Sequence, residues 1–158
     1  MADPIIEQIA QAIRTQLLTI SVDNGYETDV TDVVRPTRIG RFVDPKHLQI
    51  AMIQEDPEPY DDLSYPGNPP GRAWQQRYLL DCIVLSSDRE TTPIAETINK
   101  FSADVIKALF ADPQWATLAL DTIVEAPRML AEPGGPDGIT IPLVIRYRVL
   151  ENDPYTQA

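Results

Sequence analysis

The chain has 158 residues, with 13 Lys and Arg against 24 Asp and Glu for a net charge of −11, and it carries 15 prolines and one cysteine. That length suits a single domain over 1–158 with a real core, and the proline content is about twice the usual ~5%, which points to long ordered loops. The acidity excludes proteins that grip nucleic-acid phosphates or anionic membranes, no apolar run approaches the ~20 residues that span a bilayer, and a lone Cys82 excludes an internal disulfide and multi-cysteine zinc sites.

The start, Met1-Ala2-Asp3-Pro4, lacks the basic residues of a secretory signal, so the chain is expected in the cytosol. A helix follows: Asp3 is placed to cap it, Pro4 suits its first turn, and Ile6, Ile9, Ala10, Ile13 and Leu17 recur at helical spacing. Asp23-Asn24-Gly25 supplies a turn, since Asn and Gly tolerate positive φ. Tyr26 to Val34 alternates like a half-buried strand, which Pro36 ends. His47 to Gln54 reads as a strand covered on both faces, and Ala73 to Ser86 is the longest strand candidate. These two are expected as an antiparallel pair with an overgrown connection.

A second helix is predicted after Thr92 as cap and Pro93 as first residue. Ile94, Ile98, Phe101, Val105 and Leu109 form its core stripe, with Lys100, Asp104 and Lys107 facing out and Asp112-Pro113 stopping it. Leu118 to Val124 and Gly138 to Leu150 are the last strands. In the final one, Ile141, Leu143, Ile145, Tyr147 and Val149 share a face opposite Arg146 and Arg148. The expected fold is α+β in the order α-β-β-β-α-β-β: a mostly antiparallel sheet of about five strands packed by two helices.

Charge and proline are concentrated in one place. Residues 51–70 hold five acids, no base and five prolines, giving this segment −5 of the total −11. Proline lacks a backbone donor and restrains the residue before it, so few regular elements are expected there and the segment reads as a long loop between two strands. The acidic, proline-rich loop at about 55–72 carries Glu55, Asp56, Glu58, Tyr60, Asp61, Asp62 and Tyr65. Loops this long inside compact domains are usually functional, so it reads either as an interaction site or as a solvated insertion. The one basic cluster, Arg35, Arg38 and Arg41 with nearby Lys46, reads either as a solvated loop or as a contact for a partner. An acidic subunit that self-associates needs positive surface to offset like-charge repulsion.

Signals for catalysis or cofactors are sparse. His47 has no second histidine beside it and reads as a strand-end surface residue, so no metal site is expected. Cys82 shares its phase with Tyr78, Leu80 and Val84 and reads as a buried, inert thiol. No serine stands in a nucleophile-elbow context, and Gly134-Gly135-Pro136-Asp137-Gly138 precedes a strand and lacks the Lys-Ser/Thr end of a phosphate loop. No cofactor is expected, and the protein reads as non-enzymatic.

An amphipathic N-terminal helix running into "DNGYETDVTDVVRP" (Asp23 to Pro36) resembles the start of tail terminator and tail-completion proteins of long-tailed bacteriophages. The later segments "HLQIAMIQ", "RYLLDCIVLS", "IAETINKFSADVIKALF" and "ITIPLVIRYRVL" follow in a similar order, so the resemblance covers nearly the whole chain. The proline-rich loop is longer than the connection expected in that family. The resemblance implies a structural protein of the virion, found at the head-proximal end of the tail and in the host cytoplasm before assembly. It implies a homo-oligomeric, hexameric ring that caps the tail-tube protein, stops its polymerisation and offers a head-joining surface to a head-completion or connector protein. DNA would pass through such a ring without specific binding, which a carboxylate lining favours by repelling phosphate. Two alternatives stand beside it: a head–tail connector or neck subunit, and a small cytosolic enzyme or ligand-binding domain using loop carboxylates. On the first reading, the acidic loop and Arg35, Arg38 and Arg41 are the candidate subunit or tail-tube interfaces.

Overall fold

A computed structural model describes residues 2–36, 48–60, 66–67, 69–84, 94–130 and 137–158. In chain order these form α1 (Ile5–Leu17), a 3-10 turn (Val22–Asn24), β1 (Val30–Val34), β2 (Leu48–Gln54), β3 (Glu58–Pro59), β4 (Gly71–Val84), α2 (Ile94–Leu109), β5 (Asp121–Val124), β6 (Arg128–Met129), β7 (Asp137–Leu150) and β8 (Asp153–Gln157). The fold is α+β, with a mixed sheet of eight strands among the described residues and two helices. Neither helix is long and apolar enough to cross a membrane.

The sheet is built on β4 and β7, which pair antiparallel without a break from Gly71↔Leu150 to Val84↔Asp137. β2 lies antiparallel along the outer edge of β4, and β1 lies outside β2. On the far side β5, β6 and β8 share the outer edge of β7. Three differences from the expected five strands have clear causes. β1 runs parallel to β2, which the residues between Val34 and Leu48 make feasible, since a parallel return needs about a dozen. β3 and β6 are two-residue pieces that continue β2 and β5 along the same neighbour after a break, too short to show a period in sequence. β8 folds back on β7 after Glu151-Asn152.

Alternation in β4 and β7 separates two faces. Tyr78, Leu80, Cys82 and Val84 join Ile139, Ile141, Leu143, Ile145, Tyr147 and Val149 in one core cluster. Ile5, Ile9, Ala10, Ile13 and Leu17 of α1 and Ile98, Phe101, Val105, Ala108 and Leu109 of α2 complete that cluster, so both helices cover the same face. The final strand and Cys82 therefore lie as their periodicity indicates. The opposite face carries Ala73, Gln75, Arg77 and Leu79 of β4 beside Arg148, Arg146, Val144 and Pro142 of β7.

Several local expectations are corrected. Pro4, not Asp3, is the N-cap of α1 and has no side-chain cap bond; Asp3 instead accepts Gln11 Nε2 on its carboxylate, at 3.0 Å. The strand expected from Tyr26 begins at Val30. Its first residues are held by α2: Asp104 accepts the Glu27 amide at 2.9 Å and the Thr28 hydroxyl at 2.7 Å. Lys107 donates to the Gly25 carbonyl and sits over the Tyr26 ring. Asp104, expected to face solvent, is thus buried at 5% exposure. Gly25 does adopt positive φ (82°), closing the 3-10 turn.

The strand expected from Leu118 begins at Asp121, because Trp115, Ala116 and Thr117 turn through left-handed φ values of 49°, 56° and 72°. Such a turn costs about 1–2 kcal/mol per non-glycine residue. It is offset by burial of the Trp115 ring, whose Nε1 donates to Thr122, and by Asp112, whose carboxylate accepts the Gln114 and Ala116 amides. The proposed cap at Thr92-Pro93 and the phosphate-loop comparison at 134–136 lie outside the described residues.

Candidate functional site

The helix-free face of the sheet carries a cluster of charged residues. Its centre is Arg77 on β4, which is directed to that face by the strand's two-residue period. Arg77 forms ion pairs with Glu125 through Nη2 and with Glu55 through Nε, the latter at 3.5 Å. These partners occupy equivalent positions on opposite sides of the sheet. Glu55 opens the break between β2 and β3, and its amide donates to the Arg77 carbonyl; Glu125 opens the break between β5 and β6, and its amide donates to the Pro142 carbonyl. Both breaks end in proline, at Pro57 and Pro127. Proline has no donor for a ladder, so each strand stops and resumes one step later.

The first part of the acidic segment is therefore not a free loop, which corrects the expectation of one long loop between the two strands. Glu58 and Pro59 pair with Gln75 and Trp74, and the Tyr60 amide donates to the Ala73 carbonyl at 2.9 Å. Gln75 Nε2 donates to the Glu58 carboxylate at 2.8 Å. Beneath them the fully buried Gln76 donates to the carbonyls of Glu55 and Arg77 and accepts from Gln54 Nε2. Buried amides are costly unless satisfied, and this one fixes the bend of the chain.

Together these groups enclose an open concavity of about 390 Å³, walled by Glu55, Asp56 and Glu58 on one side and Ile123 and Glu125 on the other, with Arg77 and Arg146 in its floor. Arg146 stacks on the Tyr60 ring, 4.2 Å from its centroid, lies 3.6 Å from Asp121, and leaves its buried Nε without an acceptor. Five carboxylates (Glu55, Asp56, Glu58, Asp121, Glu125) surround two arginines, a local charge of −5 + 2 = −3. Arg77, Glu55 and Glu125 have side chains 35–43% exposed, so these pairs stand in water and are worth little individually.

The basic cluster divides. Arg35 makes a two-pronged contact with Glu7 of α1, at 2.6 and 2.9 Å, and reaches Gln54. Hydrogen bonding to Arg35 holds the Glu7 carboxyl below its ordinary range, and the same pairing raises the Arg35 guanidinium. Arg35 also lines a second open hollow, of about 620 Å³, that shares Glu55 and Asp56 with the first concavity. The structure thus brings Arg35, Glu55 and Asp56 to one place and puts Glu58 and Tyr60 beside them. Arg38, Arg41, Asp61, Asp62, Tyr65 and His47 lie outside the described residues.

Arg77, Glu125 and Arg146 were not singled out from sequence as site residues. The available signal was the presence of charged residues on the outward phase of long strands whose other phase is mostly apolar. Elsewhere, burial raises the Cys82 thiol well above its ordinary range, as a core thiol requires, and pushes Tyr147 up to about 12. Among the described residues no group of three or more His, Cys, Asp or Glu side chains is arranged to hold a metal ion. No family model matches the chain, and no curated protein matches it.

Proposed function

We propose that the protein is a phage tail terminator: a structural subunit that forms a ring, in the family pattern a hexamer, on the end of the tail tube, stops tube growth and presents a surface to the head. The observation that carries this reading is the fixed polar face of the sheet. The first part of its acidic segment, Glu55 to Tyr60, is held on β4 by backbone pairing and by Gln76, so Glu55, Asp56 and Glu58 are presented in set positions without ordering on contact. A preset, charged, water-exposed surface suits a subunit contact, because charge complementarity fixes register and suppresses wrong partners. In a ring, each contact joins two different patches, so the subunit needs unlike surfaces on opposite sides. The α+β class with two helices, both on one sheet face, supports the reading at the level of fold class.

The acidic segment with Arg35, Arg38 and Arg41 then supplies contacts to the neighbouring subunit or the tube. Head-completion or connector protein is the partner on the opposite side of the ring, and DNA passes through the lumen unbound. A head–tail connector differs chiefly in what it touches, so the decisive experiment supplies the tube. Electron microscopy of tail-tube polymers incubated with the protein is expected to show a ring on the tube end and halted growth. A protein that binds the connector and ignores the tube would be a neck subunit.

A further inference from the structure

Two residues of opposite charge at opposite borders of the sheet have no partner among the described residues. Arg14, Arg35, Arg72, Arg77, Arg146, Lys100 and Lys107 each contact a carboxylate, a carbonyl or an aromatic ring, and Arg148 is also engaged. Arg128 of β6 is the one cation among the described residues without such a contact, and its neighbour Met129 is 62% exposed. Across the sheet, Asp56 likewise has no partner among the described residues, and Glu58 is bonded only to the neutral Gln75. β6 lies outside β7, whereas Asp56 and Glu58 lie outside β4, beyond the stretch of β2 that β1 covers.

We propose that these borders meet between successive copies of the chain: Arg128, with Met129 beside it, docks against Asp56 and Glu58 at the carboxylate wall of the next copy's concavity. The proposal rests on ring formation and names the surfaces that form it. Charge complementarity selects the occupant, since the wall belongs to a −3 site and the opposing edge offers an unpaired guanidinium with an exposed apolar side chain. The contact is heterologous, so it repeats around a ring. It also sets a geometry. Glu58 stands at the level of Gln75, and Arg128 stands opposite Thr140, at the level of Asp81, an offset of 81 − 75 = 6 residues. At about 3.4 Å per residue this is roughly 20 Å along the strands, so the strands are inclined to the ring axis.

The test is charge exchange, read by sedimentation of the full chain and by electron microscopy on tail tubes. Arg128→Glu alone and Asp56→Lys/Glu58→Lys alone should each weaken self-association at least about tenfold, through like-charge repulsion. An equimolar mixture of the two should restore rings by alternating reversed edges, and restoration itself shows that both variants fold. Either variant assembling like the wild type overturns the proposal, as does a mixture that fails to recover. Rescue of Asp56→Lys/Glu58→Lys by Arg38→Glu/Arg41→Glu in place of Arg128→Glu also overturns it, by naming another occupant. A wild-type chain that forms no ring, free or on the tube, overturns the terminator reading itself; intact wild-type rings with unaffected variants overturn only this contact.

Discussion

Asp104 shows how one side chain decides where a strand begins. Its carboxylate takes the Glu27 amide and the Thr28 hydroxyl, so that stretch docks on α2 instead of extending β1. Replacing it by Ala leaves one buried and one part-buried donor unmet and should cost about 1–3 kcal/mol, while Asn, which keeps an acceptor, should cost less; urea unfolding separates the two. The position was legible in part: Asp104 lies three residues after Phe101 and four before Ala108, on the flank of the buried stripe, but polarity pointed outward. Nothing in the sequence named Thr28, far along the chain, as its partner. The Glu7–Arg35 pair gives a pH dependence of known sign. Because the folded-state carboxyl lies below its ordinary 4.5, the pair's stabilisation is present above that pH and is lost as pH falls through the folded value. With both side chains about one-third exposed, its worth is on the order of 0.2–1 kcal/mol. Glu7→Gln should therefore lower the thermal midpoint slightly at pH 7, and the difference should shrink as the pH falls through the folded value and vanish below it.

At the scale of elements, long periodic segments were readable and short broken ones were not. The apolar phases of α1, α2, β4 and β7 each follow from sequence, because a 13- to 16-residue element repeats its pattern several times. β3 and β6 have two residues each and exist only because a neighbouring strand offers its free edge. The parallel placement of β1 is likewise a tertiary choice that local propensity does not encode. The charged face was half legible: the acidic segment stood out by composition, but its pinning to β4 and the central role of Arg77 required the register. Arg77 ties together the breaks on both sides of the β4–β7 pair. Arg77→Met should leave global stability within about 1 kcal/mol, given the exposure of its pairs, yet speed hydrogen exchange around Glu58–Tyr60 and Arg128–Leu130 selectively. Equal acceleration throughout the sheet would show a core role instead.

For the whole molecule, the net −11 is a matter of placement. Among the described residues, the carboxylates of Glu55, Asp56, Glu58, Asp121 and Glu125 line or flank the concavity on the helix-free face, and Glu7 pairs with Arg35 at the hollow next to it. The helices close the other face, so charge and core occupy opposite sides of one sheet. One sheet face thus serves the core and the other is polar and open to water, the surface the proposed ring would use. The central claim is that copies of the chain close into a ring on the tail tube. Electron microscopy of tail-tube polymers with the added protein tests it most directly. The expected result is a ring seated on one tube end, with no further growth there; bare tube ends and continued growth at saturating protein would contradict it.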